Sequence, residues 1–212
     1  VKALLVDYDG TLAYVDEEVF TKSYFAQLKT FVQNRFSAVI SAEKVLKCVE
    51  HITAFADGVK NNYERFLSCF GMDDSSVDAR TIFNEFYSSE SFDALRELVK
   101  ANLEVFELLK RAKQNGLITV LATNPVFPKV AVVKRLEWIN LKEKDFDLIT
   151  HMENFHFCKP DPRYYLEICS TIKVRPEDCM MIGNDELLDR ACEQVKIRYT
   201  TVQEIGKIQL RG

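Results

Sequence analysis

Two aspartates one residue apart, Asp7 and Asp9, close the apolar run "LLVDYDGTLAY" of residues 4–14. On a strand, alternate residues share a side, so both carboxylates would face one way. Like charges held that close cost free energy unless something neutralises them. Other polar residues fall at the ends of apolar runs further along the chain. Thr123 and Asn124 end "LITVLAT", and Gly183, Asn184 and Asp185 end "CMMIG", with Asp189 one helical turn later. Lys159 stands in "CKPDP", just before a helical pattern. Four carboxylates around one crevice call for a hard divalent cation, and oxygen donors favour Mg²⁺ over zinc. A lysine and a threonine hydroxyl beside that cation suit a phosphate group. One carboxylate is then available to attack phosphorus and another to move a proton.

Such residues need elements that bring them together. "KALLVDY" is a short continuous apolar run of the kind found in buried parallel strands. From about Asp16 to Phe92 the pattern becomes helical and rich in phenylalanine: Phe20, Tyr24, Leu28, Phe31 and Val32 recur at helical spacing, as do Tyr63, Phe66, Leu67 and Phe70. Gly71 is expected to end one helix, and "DDSS" (73–76) to cap the next. Beyond Val99, Asn102 caps a helix closed by Gly116. The runs "LITVLAT", "FDLIT", "CMMIG" and "IRYTT" then read as strands. They alternate with helices in "VFPKVAVVKRLEWI", "DPRYYLEICSTI" and "DELLDRACEQV". In the second of these, Asp161 takes the cap and Pro162 the first helical position. Strands alternating with helices predict an α/β fold with a doubly wound parallel sheet. Residues 1–14 and 96–212 would form this core, and 15–95 an all-helical insertion. Ligands in open sheets bind beyond the carboxyl ends of the strands, and an insertion leaving after the first strand sits over that place.

Composition narrows the class further. The chain has 212 residues and a net charge of −4, so it lacks the basic excess of nucleic-acid or anionic-membrane binders. No stretch approaches the roughly 18 apolar residues of a membrane span, and no charged-then-apolar leader opens the sequence. A cytoplasmic location is the expectation. Cys48, Cys69, Cys158, Cys169, Cys179 and Cys192 show no CxxC spacing and read as small reduced core residues. His51, His151 and His156 form no helical zinc pair. His156, Cys158 and Trp138 read as loop and packing residues. No feature calls for a particular oligomeric state.

In their order, "DYDGTL", "ATN", "KPDP" and "GNDELLD" resemble the four motifs of the haloacid dehalogenase-like (HAD) hydrolase superfamily, and the helical block resembles the cap inserted between the first two. The resemblance implies Asp7 as nucleophile, forming an aspartyl-phosphate, and Asp9 as general acid and then base. It implies Thr123 and Asn124 near the phosphoryl oxygens and Lys159 balancing charge on nucleophile and phosphate. Mg²⁺ would be held by the Asp7 carboxylate, the Asp9 carbonyl and Asp185. Many relatives carry an acid directly after the motif glycine, where this chain has Asn184. The metal role therefore falls to Asp185, with Asn184 a neutral helper and Asp189 orienting Lys159 or a metal-bound water.

The activity so implied is a Mg²⁺-dependent phosphatase acting on a small phosphorylated metabolite. Dehalogenases and phosphonatases of this scaffold lack the second acid, so Asp9 argues against both. A sugar-phosphate mutase of the β-phosphoglucomutase type keeps it and is the enzymatic alternative. A catalytically silent binding protein is the alternative from another class, and its expected mark is loss of Asp7, Asp9 or Lys159, all of which are present.

Overall fold

Short apolar runs flanked by amphipathic helices build the centre of the molecule. A computed structural model describes residues 1–54, 56–71 and 78–208. In chain order its elements are β1 (Ala3–Val6), β2 (Ala13–Val15), α1 (Glu17–Phe36), α2 (Ala42–Ala54), α3 (Asn62–Phe70), α4 (Ala79–Tyr87), α5 (Glu90–Asp93) and β3 (Val99–Ala101). There follow α6 (Leu103–Gln114), β4 (Ile118–Leu121), α7 (Lys129–Trp138), β5 (Leu148–Ile149), α8 (Pro162–Ile172), β6 (Cys179–Gly183) and β7 (Arg198–Thr201). Five strands form a parallel sheet in the order β5-β4-β1-β6-β7. The chain winds outward from β1 to one edge, then returns to the other side, which makes the carboxyl end of β1 the switch point.

Period-two alternation divides the core into two layers. Leu4, Val6, Leu121, Met180 and Ile182 pack with buried residues of α6 and α7. Ala3, Leu5, Val120, Cys179 and Met181 face the opposite way, onto Tyr164, Tyr165 and Ile168 of α8. The register aligns these stripes, with Leu5 opposite Val120 on one side and Met181 on the other.

Helices α1 to α5 lie between β2 and β3, which pair antiparallel with Ala13 opposite Ala101 and Val15 opposite Val99. Both segments crossing between sheet and helices thus run in one ribbon, a feature that three-residue strands leave almost no sequence signal for. Within the insertion Phe66 and Phe70 meet Phe83 edge-on, each at 5.3 Å between ring centroids. Asp16, Asn61 and Asp78 cap α1, α3 and α4. The expected caps at 73–76 lie outside the described residues.

Several expectations change. "FDLIT" contributes only two residues of edge strand, and the helix expected from Val126 begins at Lys129, after Pro128. "DELLDRACEQV" is not an α-helix but a turn followed by a 3₁₀ helix over Arg190–Val195. Side chains explain the difference. Asp185 Oδ1 accepts from the N–H groups of Leu187 and Leu188 (both 2.7 Å), and Asp189 Oδ2 accepts from those of Asn184 and Asp185 (both 3.1 Å). These bonds offer the backbone donors an alternative to helical carbonyls. The reduced-cysteine reading is corrected for one pair: α2 and α3 bring Cys48 and Cys69 to 5.6 Å between Cα atoms, and they form a disulfide. Cys158, Cys169, Cys179 and Cys192 are free and buried. Among the described residues no helix is long and apolar enough to cross a membrane.

Candidate active site

The strand ends before the chemistry begins. Asp7 follows β1 and still donates its N–H to Ile182 O (3.0 Å), but the chain then turns back on itself, with Leu12 and Ala13 N–H reaching the carbonyls of Asp7 (3.3 Å) and Tyr8 (2.9 Å). Gly10 holds this turn at φ +70°, where a Cβ would stand 2.3 Å from Asn184 Nδ2. The expectation that a strand carries both Asp7 and Asp9 is therefore corrected: the strand ends at Val6 and a turn presents them. Both line one cavity, and each carboxylate meets its own cation.

Asp7 Oδ1 accepts from Lys159 Nζ at 2.7 Å, and Asp189 Oδ1 accepts from the same ammonium at 2.6 Å. The Lys159 side chain is 1% exposed, so this pairing is formed away from water. Burial, reinforced by Asp189 and Asp9, pushes the Asp7 carboxyl up to about 7, although Lys159 pulls it down. Burial alone would lower the Lys159 pKa; Asp7 and Asp189 outweigh it and hold that pKa well above its ordinary value. Asn124 Oδ1 accepts from the Lys159 N–H (3.1 Å), across a loop that continues into a cis Lys159–Pro160 peptide. Asn124 thus touches the lysine's backbone.

Thr123 is positioned through its carbonyl, which accepts from Thr150 Oγ1 (2.6 Å) and Tyr164 OH (2.9 Å). Its hydroxyl makes no hydrogen bond to a described residue and lines the same cavity as Asp7 and Lys159. Asn184 Oδ1 accepts from Thr11 Oγ1 (3.1 Å), tying the turn after Asp9 to the end of β6. Gly183 is required for close approach: a Cβ there would lie 2.2 Å from Asp189 Oδ2. His156 bonds Glu167 (2.5 Å) and Cys158 accepts from Asn62 (3.3 Å), so both serve packing in the loop before Lys159.

Arg135 was not among the residues expected at the site. It lies on α7, its side chain is 4% exposed, and its guanidinium pairs with Asp9 Oδ1. The guanidinium also stacks over Tyr8 (4.2 Å), Phe127 (5.2 Å) and Phe20 (5.5 Å), while Tyr8 OH donates to the Arg135 carbonyl (2.6 Å). Burial would lower its pKa, but Asp9 and Tyr8 raise it further.

When fully ionised, Asp7, Asp9, Asp185 and Asp189 carry four negative charges against two positive ones on Lys159 and Arg135, leaving two uncompensated, and burial together with the neighbouring carboxylates raises the Asp7 carboxyl in answer to that excess. Among the described residues no three side chains of the His, Cys, Asp and Glu types converge as a ready-made metal cage. Asp185 Oδ1 is instead turned onto backbone N–H groups. The donors nevertheless suit a hard cation: Asp7 Oδ2, Asp185 Oδ2 and the Asp9 carbonyl accept no hydrogen bond from a described residue, and the charge deficit matches a divalent ion. These groups open into a cavity of about 330 Å³ that continues between the helices of the insertion, lined there by Phe20, Tyr24, Phe66 and Phe83 among others.

Known proteins share this arrangement of elements. The HAD family enzyme BT-2542 of Bacteroides thetaiotaomicron, in complex with magnesium and inorganic phosphate, is 14% identical, with TM-score 0.57 over 95% of this chain and 93% of that one. CbbY of Rhodobacter sphaeroides, in complex with phosphate, is 21% identical, with TM-score 0.61 over 95% and 85%. A putative β-phosphoglucomutase of Thermotoga maritima is 19% identical, with TM-score 0.57 over 97% and 96%. At these identities the likeness establishes the fold. No curated protein shows significant sequence similarity to the chain. The family model for haloacid dehalogenase-like hydrolases, in contrast, matches residues 1–189, so four of the five sheet strands, the inserted helices and all four motif segments belong to one match, and the chain is a member of that family.

Proposed function

We propose that the protein is a Mg²⁺-dependent phosphatase that hydrolyses a small phosphorylated metabolite through an aspartyl-phosphate on Asp7. The observation that carries this reading is the state of the Asp7 carboxylate. One oxygen is held by Lys159, the other accepts no hydrogen bond from a described residue, and the residue lines the cavity at the switch point of a parallel sheet. Such a group is aligned and ready to attack. One Asp7 carboxylate oxygen would add to phosphorus as the bond to the leaving oxygen breaks, the other staying with the cation, and Lys159 and the Thr123 hydroxyl would receive the phosphoryl oxygens. Asp9 would protonate the departing oxygen, then take a proton from the water that cleaves the aspartyl-phosphate. Its pairing with Arg135 holds the carboxylate beside the nucleophile, and that pairing must loosen and the carboxylate take up a proton from solvent before the acid step. Mg²⁺, held by Asp7, the Asp9 carbonyl and Asp185, would supply charge neutralisation at the phosphate. The magnesium and phosphate bound by BT-2542 support this assignment.

The mutase alternative needs groups to hold sugar hydroxyls on the cap side, and the aromatic lining argues against it. Hydrolysis of p-nitrophenyl phosphate is the test. Wild type with Mg²⁺ should turn over, chelation by EDTA should abolish activity, and Asp7→Asn should lower kcat by about 10³-fold or more. Undiminished activity of Asp7→Asn would overturn the nucleophile assignment.

A further inference from the structure

The cavity's far end is built unlike its catalytic end, and the contrast defines what the enzyme can accept. From the helices of the insertion come mainly Phe20, Tyr24, Val45, Tyr63, Phe66 and Phe83, with Thr21 and the tyrosine hydroxyls as the uncharged polar groups. Of the three buried phenols that reach this region, Tyr24 and Tyr87 bond each other through their hydroxyls (2.8 Å) and Tyr63 OH donates to Asn84 Oδ1 (3.5 Å), so the Tyr24–Tyr87 pair keeps a single O–H for a ligand. Among the described residues lining the cavity, the cations are Lys159 and Arg135. Both are already paired, Lys159 with Asp7 and Asp189 and Arg135 with Asp9. The charged side chain that the inserted helices add to the lining is Glu17, a carboxylate. A second phosphate or a carboxylate on the substrate would meet no free cation and one like charge. A polyol would exchange water for largely apolar walls, leaving most of its hydroxyls without partners.

We infer that the substrate is a monophosphate ester whose leaving group is compact, apolar and aromatic and carries no second anionic group. This rests on the phosphatase reading of the same site and narrows it to a substrate class. A volume of about 330 Å³ lies at the small end of small-molecule sites and leaves room for a phosphate and a compact ring system. Aromatic walls favour such a ring through edge and face contacts as well as burial.

Two measurements separate this inference from the reading beneath it. Hydrolysis of benzyl phosphate is compared with that of glycerol 3-phosphate, glucose 6-phosphate and 2-phosphoglycolate, all esters of alcohols, so that intrinsic reactivity does not imitate preference. Binding of benzylphosphonate, which cannot be hydrolysed, is compared calorimetrically with that of phosphonoacetate in the presence of Mg²⁺. The expected result is a kcat/KM advantage of about tenfold or more for benzyl phosphate, with tighter binding of benzylphosphonate by a similar factor. In Leu46→Lys, which places an ammonium on the cavity wall at a residue 45% exposed, both preferences should shrink toward the anionic ligands. Activity that favours the polar or anionic esters overturns the inference and leaves the phosphatase reading standing. Hydrolysis of none of the esters overturns the phosphatase reading, and the phosphonate comparison still decides the nature of the cavity. Tighter binding of phosphonoacetate overturns the inference in either case.

Discussion

Arg135 and Asp9 are the pair on which proton transfer turns. Asp9 sits one turn beyond a buried nucleophile, and a free carboxylate there would both repel Asp7 and wander. The Arg135 guanidinium prevents this, itself fixed between the rings of Tyr8, Phe20 and Phe127. Its planar fork and stacking surface are not reproduced by a lysine. Arg135→Lys is therefore expected to lower kcat by about tenfold or more with little change in KM, because general acid–base catalysis supplies factors of this order and above. The double variant supplies the check. If Arg135 acts through Asp9, adding Arg135→Lys to Asp9→Asn should lower kcat no further, whereas losses that multiply would separate the two residues. Nothing in "VVKRLEW" marks this arginine. It reads as a solvated helix cation, because its partners Tyr8 and Asp9 lie some 126 residues earlier in the chain. Asp7, Asp9, Thr123 and Lys159 stood out for the opposite reason: each interrupts or follows an apolar run where no packing purpose explains it.

At the scale of elements, α7 must hold Arg135 at the right height, and its first turn is anchored from outside the helix. Pro128 provides no capping side chain, and the Lys129 N–H instead donates to Glu153 (2.8 and 3.1 Å), whose carboxylate also meets His151 Nδ1 (2.8 Å). Burial opposes the charge on Glu153, but the hydrogen bonds from His151 and Lys129 outweigh it and hold the carboxyl below its usual value. A depressed carboxyl contributes stability above its unfolded pKa and loses it as pH falls through the folded one. Glu153→Gln should accordingly cost about 1 kcal/mol at neutral pH, and the difference from wild type should shrink as pH falls below the ordinary glutamate range and through the depressed folded pKa. Thermal melts across that range measure it; a difference independent of pH would mean that shape and not charge matters. The same comparison shows which elements were legible. β1, β4, β6 and α8 follow from continuous apolar runs and the Asp161-Pro162 start, since local chemistry decides them. The 3₁₀ turn at 190–195, the Cys48–Cys69 bond and the β2–β3 ribbon depend on partners distant in sequence, and no local pattern carries them.

For the molecule as a whole, the question is whether the inserted helices move as a separate body or share the core's stability. Three attachments favour sharing. The ribbon of β2 and β3 carries both chain crossings. The start of α3 is held by the segment before Lys159, with Asn62 N–H on Phe155 O (2.9 Å), Tyr63 N–H on Met152 O (3.0 Å) and Arg65 on His156 O (3.3 Å). Trp138, at the end of α7, packs on Phe92 (4.7 Å between centroids) and Phe20 (6.5 Å) and donates to Asp93 (3.0 Å). One apolar cluster accordingly runs from Leu4 and Val6 on the sheet to Phe83 and Phe86 among the inserted helices. Cores joined this way unfold together, because neither part keeps its burial when the other is lost. Trp138 is the sole tryptophan of the chain and lies where helices and core meet, so its fluorescence reports on their contact directly. In urea, the fluorescence transition and the far-UV circular dichroism transition are expected to share one midpoint. A fluorescence change that precedes the loss of helix signal would show that the inserted helices release first, and the enclosed cavity would then be a state that the ligand must help to close.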